Sequence, residues 1–179
     1  MKEFQTAVEG WHDFYVALSA ATATLMGLLF VGISLNLEII NRQANADLRL
    51  VASQTFTNFI EVVLISFLFL IPNLVPAGLG IPMLFMGAYA LWHTIRLVLT
   101  TMRTHPHMWT QRRLFIQAVL PVICFAGLVI VALTTLLGNT DGLYWLPAFL
   151  LTLIALATNG AWDLLLQVRM PKDGSEAKP

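Results

Sequence analysis

The sequence predicts an all-α integral membrane protein: a polytopic bundle of five transmembrane helices, N-terminus outside and C-terminus cytoplasmic. Three observations predict it. Of the 179 residues, 58% are hydrophobic and only 11% are charged, against roughly 45–50% apolar and about 25% charged in ordinary soluble domains. Five apolar segments are each long enough for a helix that crosses the bilayer, which takes roughly 20 residues for about 30 Å of hydrocarbon. Nine of the ten Lys and Arg fall on one side of the five-span arrangement.

The first span covers residues 14–35, and its pattern continues through Leu37, Ile39 and Ile40. The second covers residues 50–71 and stops at Pro72, where the missing N–H and the ring block a helix. The third covers residues 77–99, with Pro82 an early turn inside it. The fourth covers residues 114–137, contains Pro121 and ends at Gly138, and the fifth covers residues 143–166. Each is apolar around most of its circumference, as a lipid-facing or bundle helix must be. The connections, residues 41–49, 72–76, 100–113 and 139–142, are too short for a soluble domain, and Asn139-Thr140-Asp141-Gly142 has a turn composition. Residues 1–170 therefore form one domain, and residues 171–179 form a polar, disordered cytoplasmic tail.

Orientation follows from Lys and Arg near span ends. Arg42, Arg49, Arg96, Arg103, Arg112, Arg113, Arg169, Lys172 and Lys178 share one side, and only Lys2 lies on the other. The tryptophans suit two interface belts, with Trp11 and Trp145 outside and Trp92, Trp109 and Trp162 inside. Acidic Glu3, Glu9 and Asp13 beside Lys2, before a long apolar stretch, predict a retained first span and not a cleaved signal peptide.

Zero formal net charge supplies no field for nucleic acid. A single cysteine, Cys124, excludes a disulfide framework and a Cys-rich metal centre, and in an apolar span it reads as a small hydrophobe. His105 and His107 flank Pro106 in a basic loop and read as solvated. His12 and His93 lie at opposite interfaces, so they cannot ligate one haem. No phosphate loop, His-Glu-x-x-His or nucleophile elbow is present. The expectation is a non-enzyme with no cofactor and no metal.

Glu61 is the most informative residue. It lies near the middle of the second span, where a charge costs about 3 kcal/mol or more. Gln54, Asn58 and Glu61 are spaced four and three apart and form one stripe, with Ser53 and Thr57 at its shoulder. Beyond Glu61 that face turns apolar at Leu64, Ile65 and Leu68, so the stripe climbs from the cytoplasmic end to mid-depth and stops. Either it binds a cation or relays a proton, or a protonated Glu61 donates to a neighbouring helix and the stripe is interhelical glue. Span midpoints put Thr22, Thr24 and Tyr89 at matching depth as possible partners.

Two further patterns stand out. Ser19, Ala23 and Gly27 recur every four residues on the first span, a spacing that lets helices approach closely within the chain or across an oligomer. Asn159 and Asp163 share a face of the fifth span, and Asp163 either pairs with Arg96 or both side chains snorkel to the interface.

The run Trp11-His12-Asp13-Phe14 leading into Leu28-Leu29-Phe30-Val31-Gly32-Ile33-Ser34-Leu35-Asn36 resembles the start of a group of small bacterial inner-membrane proteins. In that group a similar Gly-Leu-Leu-Phe-Val-x-x-Ser-x-Asn run closes the first helix. The resemblance covers residues 11–72 and implies a multi-pass protein of the bacterial plasma membrane. It draws attention to Ser34 and Asn36 and implies no activity.

Two functions are expected from these readings. One is a non-catalytic helix-packing subunit or regulator in the lipid bilayer, associating with itself or with a larger membrane complex. The other is a homo-oligomeric channel or carrier for a small cation or proton, using Glu61 and its stripe.

Overall fold

In hydrocarbon no water satisfies backbone N–H and C=O groups, so a lipid-exposed apolar chain of this kind must close its hydrogen bonds within helices. A computed structural model describes residues 4, 8–35, 46–104 and 112–169, and all of their regular structure is helical. Five helices are long and apolar enough to cross a membrane. They are α1 (His12–Leu35), α2 (Ala46–Phe69), α3 (Pro76–Thr104), α4 (Arg112–Leu136) and α5 (Leu146–Arg169). Residues 36–45, 105–111 and 170–179 lie outside the described residues. The readings of Asn36, Arg42, His105, His107, Trp109 and the tail fall there, and that of Lys2 falls in residues 1–3, which are likewise not described.

Helix boundaries follow local chemistry. Pro76 opens α3, a position whose N–H is unused in any helix, and Pro147 sits in the first turn of α5 for the same reason. Beyond α4, Gly138 adopts φ 86°, and its N–H donates to the Thr135 carbonyl at 3.0 Å. The Asn139 N–H donates to Thr134 at 3.0 Å, which completes a left-handed glycine cap. The chain then makes a 3-10 turn over Asp141–Trp145, entered where Asn139 Oδ1 accepts from the Asp141 N–H at 2.8 Å. This turn displaces the start of the fifth helix from residue 143 to Leu146. In the other direction, α2 begins earlier than its apolar segment and α3 runs later. The added turn of α2 is the polar sequence Ala46-Asp47-Leu48-Arg49, and α3 continues past residue 99 to Thr104.

Helices α2 and α5 form the middle of the bundle. Helix α2 packs on α1 and α5, α5 also packs on α4, and α3 and α4 form a close antiparallel pair. Half of the apolar window of α2 is buried, against 22% in α1 and in α3. Two hydrophobic clusters result. One fills the end that holds His12, Phe69, Pro76 and Leu136, and joins all five helices through Tyr15, Val62, Ile65, Met83, Phe125 and Leu150. There Tyr15 stacks on Phe69 with ring centroids 4.0 Å apart. The other fills the end that holds Leu35 and joins α1, α2 and α5 through Leu29, Phe59, Ala157 and Leu164.

Where the helices cross most closely, glycine makes room. A Cβ on Gly127 would stand 2.6 Å from the Phe149 ring, and one on Gly80 would stand 2.7 Å from Leu136. Gly160 of α5 lies directly against the Thr55 hydroxyl of α2. The last contact holds the two central helices together at the depth of the polar stripe.

Candidate functional site

Helix α2 carries the stripe to the seam between the two hydrophobic clusters. Phe59 belongs to the cluster at the Leu35 end and Val62 to the cluster at the His12 end. Glu61 lies between them in sequence and is 4% exposed, while Asn58 is 2% exposed and Gln54 half-buried. All three turn into the chain's own bundle. This enclosure decides one point: Glu61 is screened from lipid by helices of the same chain.

The stripe is joined to α3. Gln54 Nε2 donates to Asn58 Oδ1 at 2.9 Å and to Thr94 Oγ1 at 3.2 Å. Thr94 is fully buried. Both amide hydrogens of Gln54 are thereby used, and among the described residues three buried polar side-chain atoms have no partner: Gln54 Oε1, Glu61 Oε2 and His93 Nδ1. Two of the three are oxygens of the stripe. The local chemistry is therefore rich in acceptors and short of a donor or a positive charge.

None of the three residues matched to Glu61 by depth has a hydrogen bond to it among the described residues. Thr22 is buried but donates to the Leu18 carbonyl of its own helix at 2.7 Å, and exposed Thr24 donates to Ala20 at 2.8 Å. Such back-bonding uses the only donor a threonine has. Tyr89 is 66% exposed and stacks near-parallel with His93, centroids 6.3 Å apart. Depth alone does not set rotation about a helix axis. Thr94, which sequence reasoning missed, continues the buried face Leu79, Met83, Ala90 at helical spacing. Tyr89 is five residues away from Thr94, on a different face.

Arg96 lies with its guanidinium carbon 4.8 Å from the centroid of the Trp92 ring, a cation–π contact within α3. Asp163 stands on α5, and Arg96 on α3. Arg96 and Trp92 are both exposed, which fits the snorkelling alternative.

The small-residue stripe of α1 splits. Ser19 is buried and donates to the Val16 carbonyl at 2.9 Å, whereas Ala23 and Gly27 are exposed. Steps of four residues advance about 40° each around a helix of 3.6 residues per turn, so the stripe leaves the interface as it climbs. A Cβ on Gly27 would meet nothing within 4 Å.

An open pocket of about 230 Å³ lies at the His12 end, lined in part by Glu9, His12, Phe69 and Asn73. Among the described residues no group of three His, Cys, Asp or Glu side chains could hold a metal ion. Cys124 is buried in α4. No protein-family model matches the chain, and no curated protein or solved structure proved similar to it.

Proposed function

We propose that the chain is a non-catalytic, multi-pass protein of the bacterial inner membrane, N-terminus outside, that works by packing against other copies of itself through α1. The observation that carries this reading is a contrast among glycines. Gly80, Gly127, Gly142 and Gly160 each stand against a side chain of a neighbouring element, and Gly27 faces open space. In membranes, where apolar surface gains nothing by leaving lipid, small residues mark helix interfaces because they let backbones approach. Ala20, Ala23, Thr24 and Gly27 make such a surface on α1, the helix that opens the bundle and leaves much of its circumference uncovered. Within this reading the stripe on α2 is internal support, with the Gln54–Thr94 hydrogen bond tying α3 to α2.

The test is the oligomeric mass in mild detergent, measured by light scattering on wild type and on Gly27→Leu. A wild-type dimer or larger assembly that becomes monomeric in the variant is the expected outcome. A wild-type monomer, or the same assembly in both, contradicts the reading.

A further inference from the structure

Packing leaves the chemistry of the stripe unexplained. A buried acceptor without a donor is a net cost to the fold, and native structures rarely retain one that ordered water, an ion or a ligand does not satisfy. Here two occur in one stripe, on Gln54 Oε1 and Glu61 Oε2. A proton on Glu61 would settle its own oxygen and leave that of Gln54 without a donor.

We propose that Gln54, Asn58, Glu61 and Thr94 form a binding site for one monovalent alkali cation inside the protomer. The donor set selects the class of ion. Each side chain offers oxygen (carboxylate, amide carbonyl or hydroxyl), and oxygen donors favour hard cations over the transition metals that seek nitrogen and sulfur. The charge selects the valence. A single carboxylate balances a single positive charge, whereas a divalent ion would leave an uncompensated charge in the middle of the bundle. No Lys or Arg among the described residues of the seam competes for the carboxylate, since Arg96 is turned to Trp92. The access route follows the stripe. Half-buried Gln54 stands nearest the Leu35 end, and buried Asn58 and Glu61 follow it inward. In that half of the bundle the hydrophobic cluster joins α1, α2 and α5, and the Gln54–Thr94 hydrogen bond links α3 to α2. Binding would turn the Gln54 carbonyl towards the ion, exchanging the amide's hydrogen-bond donation to Thr94 for coordination.

The proposal is independent of how copies of the chain associate, and its test uses the intact protein in detergent. Radioactive sodium binding is measured by scintillation proximity, and thermal unfolding is followed in sodium chloride against choline chloride at equal ionic strength. The site predicts saturable binding of one sodium per chain, displaced by lithium or potassium but not by choline. It predicts a sodium-dependent rise in Tm, and loss of both effects in Glu61→Gln. Gln54→Ala and Thr94→Val, which leave the carboxylate in place, should weaken binding without removing it, so a poorly folded Glu61→Gln would still leave the site testable. Absence of saturable binding in wild type, or equal binding in Glu61→Gln, overturns the proposal and leaves Glu61 as a proton-bearing packing residue.

Discussion

Gln54 and Thr94 lie forty residues apart and meet at 3.2 Å, the amide of α2 donating to the hydroxyl of α3. In water such a bond would count for little. Inside a membrane bundle it is worth on average about 0.6 kcal/mol and up to about 1.7 kcal/mol, because the unfolded helices also find partners in lipid. Thr94→Val keeps the shape and removes the acceptor, and is expected to lower unfolding stability by about 1 kcal/mol in detergent denaturation. An unchanged stability would mean that this hydrogen bond adds nothing to the packing that holds α3.

The crossing of α2 and α5 supplies a second expectation. Gly160 has no room for a methyl group beside Thr55 Oγ1. Gly160→Ala should destabilise the bundle by about 1–3 kcal/mol, the usual effect of overpacking. Gly27→Ala, on open α1 surface, should change the stability of the isolated chain by no more than about 0.5 kcal/mol. Equal effects at the two glycines, read from thermal unfolding of monomeric protein, would contradict the packing described for α5.

Glu61 at the hydrophobic seam gives a third. Replacing a buried group that lacks a partner by an apolar one of similar size removes a desolvation cost of about 1–3 kcal/mol. In sodium-free choline medium, Glu61→Leu is therefore expected to be more stable than wild type. In saturating sodium the order should narrow or reverse, since only wild type gains from binding. Chemical unfolding in the two media measures both.

Tyr89 provides a control. Its ring is exposed and stacks on His93, away from the stripe. Tyr89→Phe should leave sodium binding and Tm unaltered, within about 0.5 kcal/mol for stability. A large loss of binding would restore Tyr89 as a partner of Glu61.

Much of the fold is legible in the chain because lipid imposes one rule on every span. A segment must be apolar for roughly 20 residues and helical throughout, and all five helices appear where that rule puts them. Helix ends are less legible. Asp47 and Arg49 lie in polar sequence that continues α2, and the 3-10 turn over Asp141–Trp145 depends on the Asn139 side chain and the Gly138 cap. Within the site, the Gln54–Asn58–Glu61 stripe is readable because it lies on one helix and depends only on spacing. Its partner is not, because the rotation of α3 is set by tertiary packing. The periodic face of Leu79, Met83 and Ala90 already points to Thr94, whereas matching by depth points to Tyr89. The same limit separates buried Ser19 from exposed Ala23 and Gly27, which share a spacing but not a neighbour.

The central claim is that copies of the chain meet on α1 while each keeps Glu61 inside its own bundle. Oxidative cross-linking in native membranes tests it most directly, with cysteine placed singly at position 27 or 61 in a Cys124→Ala background. The account predicts a disulfide-linked dimer from Gly27→Cys and only monomer from Glu61→Cys. Cross-linking at position 61, or none at position 27, would contradict it.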